Sequence, residues 1–279
     1  MNNFLPGLYI VSTPIGNLED ITLRALNVLR NSDKILCEDT RRSIKLLNHY
    51  KIKNKLISYH KFNEKKSLPF VVNSILKGEK IALISDAGTP ILSDPGLFLL
   101  RECIKKNIKI YPIPGVSAAT TAISVSGFED KYFFYGFLSK KEKEIERTLS
   151  TLKDYNFSIV FFIPAIKINF YIKLFKKYFL NRELLVAKEM TKIHENFYRK
   201  DLTSFDGFES KMKGELTVVI SEIKKKYAFK DNKIDKKTLK LEIAEYLKRY
   251  SLRDVVKLVS EKNKIPRKEI YDLCLKIKN

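Results

Sequence analysis

The sequence predicts an α/β protein whose first part is a doubly wound, mostly parallel sheet. Short apolar runs alternate through residue 117 with amphipathic segments of about ten residues, a pattern typical of βα repeats. Three of those runs end in turns that contain glycine and proline, at Ser12–Asn17, Ser85–Pro90 and Pro112–Ala118. Because the carboxyl ends of parallel strands meet at one edge of a sheet, we expect the three turns to form one small-molecule site.

Residues 1–117 are interpreted as an N-terminal α/β domain. Thr22 is suited to cap the first helix, and Gly78 is suited to end the third. The predicted strands are Leu8–Val11, Ile35–Cys37, Leu56–Ser58, Ile81–Ile84 and Ile108–Pro112, and the predicted helices are Thr22–Asn31, Arg41–Tyr50, Ser67–Lys77 and Pro95–Lys106.

Residues 118–222 are interpreted as a second α/β domain that completes the ligand cleft, with a mixed sheet. A helix of small residues, Ser117–Ser126, precedes its strands. The predicted strands are Tyr132–Tyr135, Phe157–Ile163, Glu183–Lys188, Phe197–Arg199 and Leu216–Ile220, and the helices are Lys141–Leu152 and Ile166–Phe179. Residues 223–279 are interpreted as a basic helical domain, with helices Lys236–Arg249, Ser251–Lys262 and Pro266–Lys276.

The net charge of +21 over 279 residues has two possible interpretations. One is a Lys-rich composition without functional meaning, and the other is a polyanionic partner, with nucleic acid favoured over a membrane. Residues 222–279 contribute +9, from 18 Lys and Arg against 9 Asp and Glu.

Cysteine and histidine spacing argues against a metal site or a disulfide framework. Cys37, Cys103 and Cys274 lie far apart, and the three histidines are not at ligand spacing around them. No apolar run is long enough to span a membrane, and Met1–Phe4 lacks the start of a secretory signal, so we expect a cytoplasmic protein.

The three turns carry no phosphate-binding motif. None continues into Gly-Lys-Ser/Thr, none reads Gly-x-Gly-x-x-Gly, and none contains lysine. A cofactor held by backbone groups beside one acidic side chain fits them better. Asp86 is that side chain, and it would suit a sulfonium or an adenosine ribose.

Two polar loops follow the neighbouring strands, at Cys37–Arg42 and Ser58–Glu64. Both are expected at the same sheet edge as the turns, where they offer carboxylates, an imidazole, an amide and guanidinium groups. They could equally be a salt-bridged helix start and a polar surface loop.

At these residues the sequence closely resembles the ribosomal RNA small subunit methyltransferase I family of the tetrapyrrole methylase superfamily. The resemblance is dense from Leu8 to Gly136 and returns in Val186–Lys192, Gly214–Leu216 and the C-terminal helices. The strings that carry it most clearly are Leu8–Thr22, Glu38–Arg41, Leu56–His60, Ser85–Pro90 and Pro112–Gly115.

The resemblance implies transfer of methyl from S-adenosylmethionine to the 2′-oxygen of a cytidine in the decoding region of 16S ribosomal RNA. It also implies a homodimer, with the cofactor in the cleft between the two α/β domains. The turns and the resemblance together assign the cofactor contacts to Pro14, Ile15, Gly16, Asp86, Ala87, Gly88, Thr89, Leu92, Ser117, Ala118 and Ile163.

The polar loops are the candidates for catalysis. A ribose hydroxyl is a weak nucleophile, so a general base is useful. Asp39 is our first choice and His60 our second, and Arg41 with Arg42 would hold neighbouring phosphates. The predicted catalytic set is Glu38, Asp39, Arg41, His60, Asn63 and Glu64.

One segment departs from the family pattern. Relatives usually read Phe-Tyr-Glu-Ser-Pro-His-Arg where this chain has Phe161–Lys167, Phe-Phe-Ile-Pro-Ala-Ile-Lys. Either those polar groups are not needed or the activity is altered, and the complete turns and loops favour the first. Two other functions stay open: a precorrin methylase, and a non-catalytic RNA-binding factor for ribosome assembly.

Overall fold

The structure is a computed structural model that describes residues 4–223, 236–263 and 265–278. The chain divides into two units, Met1–Ile223 and Lys224–Asn279. The further division of the first unit at residue 117 stays a prediction.

The first sheet of the first unit has five parallel strands in the order β3-β2-β4-β1-β5, which confirms the predicted parallel sheet. Its strands are β1 (Gly7–Val11), β2 (Lys34–Cys37), β3 (Leu56–Ser58), β4 (Lys80–Leu83) and β5 (Ile110–Ile113). The helices are α1 (Leu23–Asn31), α2 (Thr40–His49), α3 (Glu64–Leu76) and α4 (Leu97–Lys105).

Helices cover both faces of this sheet, because successive strand residues point to opposite sides. Tyr9 and Val11 of β1 belong to a buried cluster with α1 and α2. Leu8 belongs to a second buried cluster with α3 and α4. The near-continuous apolar runs of the strands follow from this double burial.

Helix α3 begins at Glu64, three residues before the predicted start at Ser67. Asn63 holds the chain at this point, since its side chain accepts a hydrogen bond from the His60 amide at 2.8 Å and donates to the Ser58 carbonyl at 3.0 Å. These two contacts shorten the preceding loop and allow the helix to start early.

The second sheet has five strands in the order β6-β7-β10-β8-β9. Only β6 and β7 pair in parallel, so the sheet is mixed, as predicted. The strands are β6 (Tyr132–Phe137), β7 (Ser158–Pro164), β8 (Glu183–Lys188), β9 (Asn196–Asp201) and β10 (Glu215–Ile220), and the helices are α5 (Ala118–Ser124), α6 (Glu142–Leu152) and α7 (Ile168–Tyr178).

Helix α5 joins the two sheets. Its buried Ala119 and Ala122 pack against the second sheet in the same cluster as Ile15, which extends from the turn after β1. Small side chains let this helix lie close to the sheet. Helices α6 and α7 cover the other face.

The second unit consists of three helices in its described residues, α8 (Lys236–Leu247), α9 (Leu252–Asn263) and α10 (Arg267–Lys278). They enclose a small apolar core that includes Ile243, Val255 and Ile270. In the described part of the chain, no helix combines the length and apolar character needed to cross a membrane.

A buried arginine holds one end of the second sheet together. Arg182 is 2% exposed, and burial lowers the pKa of its guanidinium to about 10. The guanidinium lies 5.1 Å from the centre of the Phe179 ring. It donates hydrogen bonds to the carbonyls of Lys153, Tyr155, Phe157 and Ser221 over 2.6 to 3.4 Å.

We expect Arg182→Met to lower the free energy of unfolding by about 3 kcal/mol or more, because several buried carbonyls lose their donor at once. Urea denaturation measures the change. Arg147→Met, at an exposed arginine of α6, is the control and should change the stability by less than about 0.5 kcal/mol. Equal losses in the two variants would contradict the structural role of Arg182.

Candidate functional site

The three predicted turns meet and are bonded to one another. Thr13 and Gly88 exchange two backbone hydrogen bonds, at 2.9 and 3.0 Å. The Thr89 hydroxyl donates to the carbonyl of Val116 at 3.0 Å and lies 3.1 Å from the hydroxyl of Ser12. The predicted convergence of the turns is therefore confirmed.

Two glycines permit this close approach. Gly88 has a φ of +79°, in the left-handed region that other residues rarely adopt. At Gly115 a Cβ atom would lie 2.8 Å from the Cβ of Ser12, so the third turn touches the first only without a side chain.

A central cavity of about 480 Å³ lies beside the turns within the first unit. Nine of the predicted cofactor contacts line it: Ile15, Asp86, Ala87, Gly88, Thr89, Leu92, Ser117, Ala118 and Ile163. It is also lined by Glu38 and Arg42 of the polar loops.

Pro14 and Gly16, also predicted as cofactor contacts, do not line the central cavity. They line a smaller cleft of about 240 Å³, because the first turn bends toward the loop after β8. A Cβ on Gly16 would lie 2.6 Å from the Thr191 hydroxyl, which accepts a hydrogen bond from the Asn17 amide at 3.0 Å. Gly16 therefore permits contact between the first turn and this loop.

The cavity has an aromatic wall, formed by three phenylalanines that the sequence did not predict as part of the site. Phe134 and Phe137 of β6 face Phe162 of β7, with ring centres 5.1 and 5.2 Å apart. In sequence, phenylalanines within strands are indistinguishable from core residues, so no motif marks them. The second sheet also contributes Pro164, Gly214, Glu215, Leu216 and Thr217, and the loop before α4 contributes Asp94.

Three carboxylates, Glu38, Asp86 and Asp94, form an acidic cluster in the cavity wall. Burial and, to a lesser degree, the charges of Glu38 and Asp86 raise the pKa of Asp94 to about 6, although a hydrogen bond from Ser85 acts in the opposite direction. Burial, and then the charge of Asp86, also raises the pKa of Glu38, while His60 and Arg42 oppose the shift. Such shifts occur where negative charge is held ready for a cationic ligand or for proton transfer.

Asp86 ties the acidic cluster to the polar loop after β2. Its carboxylate accepts a hydrogen bond from the Asp39 amide at 3.1 Å and lies 3.4 Å from the Arg42 guanidinium. This contact keeps the end of β2 and the second turn together.

An edge cleft of about 400 Å³ adjoins the central cavity. The two share Glu38, Arg42 and Asp86. The remaining lining consists of Asp39, Thr40, Arg41, Ser58, His60, Lys61 and Phe62. The cleft is therefore mostly basic and polar on its outer side and acidic where it meets the cavity.

Asp39 and His60 are engaged in local contacts. Hydrogen bonds from the side chain and backbone of Arg41 lower the pKa of Asp39 to about 2. The Nδ1 atom of His60 accepts a hydrogen bond from the Phe62 amide at 3.3 Å. The neutral imidazole then carries its proton on Nε2, where it can donate but not accept.

Asn63 and Glu64 lie outside the lining of both cavities. Asn63 holds the loop before α3, as described above, and Glu64 is 6% exposed and accepts a hydrogen bond from the Gly96 amide at 3.1 Å. Both side chains make local structural contacts, and the catalytic part predicted for them stays a prediction.

The chain matches the family model described as Tetrapyrrole (Corrin/Porphyrin) Methylases over residues 7–206. It is 43% identical to a ribosomal RNA small subunit methyltransferase I from Mesomycoplasma conjunctivae, over 81% of this chain and 95% of that protein. It is 40% identical to the protein of the same name from Buchnera aphidicola subsp. Schizaphis graminum, over 98% of this chain and 96% of the relative.

Solved structures share the fold at low sequence identity. A diphthine synthase superposes with a TM-score of 0.61 at 13% identity, covering 77% of this chain and 89% of its own. A uroporphyrin-III C-methyltransferase from Thermus thermophilus, complexed with S-adenosyl homocysteine, gives 0.57 at 12% identity, covering 77% and 97%.

These findings confirm the predicted fold class, and the match to the methylase family bears out S-adenosylmethionine as the cofactor. The extent of the family match and the identity to full-length relatives lead to one conclusion: the chain belongs to the ribosomal RNA small subunit methyltransferase I family of the tetrapyrrole methylases.

Proposed function

We propose that the central cavity holds S-adenosylmethionine and that the protein methylates the ribose 2′-oxygen of a cytidine in the decoding region of 16S ribosomal RNA. The cavity volume lies in the range of small-molecule sites. Its acidic cluster suits the positive charge of a sulfonium, and the wall of Phe134, Phe137 and Phe162 suits the flat face of an adenine. The residues present therefore fit this cofactor.

The observation that carries the proposal is that the two cavities adjoin and share Glu38, Arg42 and Asp86 in their linings. A cavity with an acidic wall, suited to a cationic methyl donor, therefore lies next to a cleft with exposed guanidinium groups. Arginine binds phosphate oxygens well because its planar fork matches their geometry. A ribose between phosphates in the edge cleft would place its hydroxyl at the junction.

When bound, the cofactor supplies the methyl group from its sulfonium sulfur. The residues of the site then have two tasks, alignment and proton removal. Alignment of the oxygen, the methyl carbon and the sulfur can contribute about 7–11 kcal/mol in well-oriented systems. The turns suit this task because hydrogen bonds between backbone atoms hold them rigid.

For proton removal, the geometry favours Glu38 over our first choice from the sequence, Asp39. Glu38 lines both cavities, whereas Asp39 lines only the edge cleft and is paired with Arg41. A carboxylate with a raised pKa is also the better base. His60 would orient the substrate by donation from Nε2.

The departure in Phe161–Lys167 is compatible with activity. Ile163, at the position where relatives usually have Glu, is 2% exposed and lines the cavity that also contains Glu38, Asp86 and Asp94. Ile166 and Lys167, where relatives have His and Arg, are exposed and lie outside the lining. The missing polar groups therefore leave the acidic cluster intact.

The substrate follows from the curated relatives, whose names specify the RNA of the small ribosomal subunit. These names favour RNA over a precorrin. The same proposal includes a cytoplasmic homodimer that acts on the small subunit, and a cofactor held between domains 1–117 and 118–222. Mass mapping of ribose methylation in 16S ribosomal RNA, from cells with and without the gene for this protein, tests which nucleotide is methylated.

We expect the affinity for S-adenosylmethionine to rise roughly tenfold as the pH increases through about 6 and then to level off. Below that pH Asp94 is protonated and the cavity has one negative charge fewer, so a cation binds more weakly. Calorimetry from pH 5 to 8 measures the step. Asp94→Asn should remove it, and Asp206→Asn, at an exposed carboxylate of the same unit, should retain it. An unchanged step in Asp94→Asn would exclude Asp94 as its source.

We expect Glu38→Gln to reduce kcat about 10²- to 10⁴-fold, because the hydroxyl proton loses its acceptor. Methyl transfer from labelled S-adenosylmethionine to small ribosomal subunits, at saturating cofactor, measures kcat. Calorimetry measures the separate loss of cofactor affinity, roughly tenfold as for protonation of Asp94, that the missing negative charge causes. Asp39→Asn is the matched control at the neighbouring carboxylate, and it should retain most of kcat. The reverse order of the two variants would return the role of base to Asp39.

The basic C-terminal unit is proposed to bind the ribosomal subunit. Arg253, Lys257 and Arg267 line a cleft of about 650 Å³ between α9 and α10, beside Tyr271. Two relatives of the same name are shorter: 81% and 77% of this chain match 95% and 97% of their lengths. A contribution to affinity rather than to chemistry is consistent with this difference.

We expect replacement of Arg253, Lys257 and Arg267 by Gln to weaken RNA binding and to reduce the slope of log K against log salt by about 2, because each phosphate contact contributes about 0.7. Binding to small subunits at several salt concentrations measures the slope. The control replaces Lys140, Lys143 and Arg147, three exposed cations of the first unit, by Gln. Identical slopes in both triple variants would remove the C-terminal unit from the interface.

A further inference from the structure

Phe62 is the most exposed aromatic side chain beside the edge cleft. It is 94% exposed, although it lies between a strand of the first sheet and a helix that buries Val71, Val72 and Ile75. The other exposed phenylalanines among the described residues are partly covered. Phe70 on α3, for example, is 56% exposed, and its ring centre lies 5.3 Å from the Lys34 ammonium. Phe62 is therefore presented to solvent at a cavity rim.

The loop that carries Phe62 is braced from both sides. Asn63 bonds to the amide of His60 and to the carbonyl of Ser58, and the Phe62 amide donates to His60 Nδ1. The His60 ring lies 6.0 Å from the Phe62 ring, edge-on at 65°. The backbone is thus fixed while the ring makes little contact, which reduces the entropy cost of binding a partner.

Cations surround the rim near this ring. Arg41 has a side chain that is 88% exposed, Arg42 one that is 66% exposed, and Lys61 is also exposed. Arg41 and Arg42 are each paired with one carboxylate, so their remaining donors stay available. An aromatic face next to several cations is the combination by which proteins bind single-stranded nucleic acid, with stacking on bases and charge on phosphates.

The connection between neighbouring nucleotides indicates what could bind at this surface. The ribose to be methylated must reach Glu38 at the junction of the two cavities, so its neighbouring nucleotide lies in the edge cleft. A base paired in a duplex could not lie there with its sugar at the junction, because the strand must leave the stack to enter a cavity. The unstacked base needs a new partner, and the Phe62 ring is at the rim.

We propose that Phe62 is a stacking platform for the base of an unpaired nucleotide adjacent to the methylated ribose, with Arg41, Arg42 and Lys61 at the flanking phosphates. The inference rests on the proposed function, since it requires a single-stranded RNA substrate at Glu38. It adds a binding site for the neighbouring nucleotide. This site accepts any base, because every base offers a flat face for stacking.

The test compares Phe62→Ala, Phe62→Trp and Phe70→Ala. For Phe62→Ala we expect KM for small subunits, and Kd for a 12-nucleotide single-stranded RNA with 2-aminopurine beside a cytidine, to rise about 10- to 100-fold. Phe62→Trp should retain both values, and Phe70→Ala should leave them unchanged. The quenching of 2-aminopurine fluorescence on binding, a direct sign of stacking, should disappear in Phe62→Ala alone. Cofactor affinity and the salt slope should stay constant in all three, since no charge changes.

Several outcomes would overturn the stacking role. Loss of binding in both Phe62→Ala and Phe62→Trp would indicate a loop that tolerates no change, and loss of cofactor affinity would indicate a structural effect. A rise in KM on subunits without a change on the RNA oligonucleotide would assign Phe62 to a protein contact. Failure of the wild-type enzyme to methylate small subunits would refute the proposed function instead. The quenching of 2-aminopurine on RNA binding does not require methylation, so it tests the stacking role separately.

Discussion

The backbone bridge between Thr13 and Gly88 is the contact on which the site depends. It joins the ends of β1 and β4, and Thr89 continues the connection to the third turn. Because the bonds of the bridge are between backbone atoms, they specify position without a particular side chain. Ile15 extends from the same turn into the core of the second sheet. The bridge thus joins the first two turns, the Thr89 hydroxyl adds the third, and Ile15 connects them to the second sheet beside the cavity.

Charge is divided between the inside and the rim of the site. Glu38 and Asp94 are half-buried near other carboxylates, and desolvation with this repulsion raises their pKa values, whereas hydrogen bonds from Arg41 lower the pKa of Asp39 at the rim. Carboxyl groups of the same site therefore have pKa values shifted in opposite directions, and burial and the nearest cation decide the direction. An acidic interior with a basic rim fits a cationic donor and a polyanionic acceptor in one site.

Most secondary structure was predictable because buried parallel strands and their helices leave strong apolar patterns. The errors are local and have local causes. Helix α3, for example, starts early because Asn63 shortens its loop. The turns were predictable from Gly88 and Gly115, since few residues permit such close approach. The proposal of Glu38 in place of Asp39 as the general base could not be made from the sequence, because it depends on which of the two carboxylates Arg41 pairs with.

The family, the parallel sheet and the three turns proposed to hold the cofactor could be recognised from the sequence, since each leaves a mark on adjacent residues. The aromatic wall could not, because it depends on strand pairing. In a regular strand, Phe134 and Phe137 would point to opposite faces, but a bulge between Phe134 and Gly136, which has a φ of +80°, shifts the register. They consequently pair with Val160 and Phe162, two residues apart on β7, and face the same side. A side chain's direction depends on the partner strand, which lies far away in sequence.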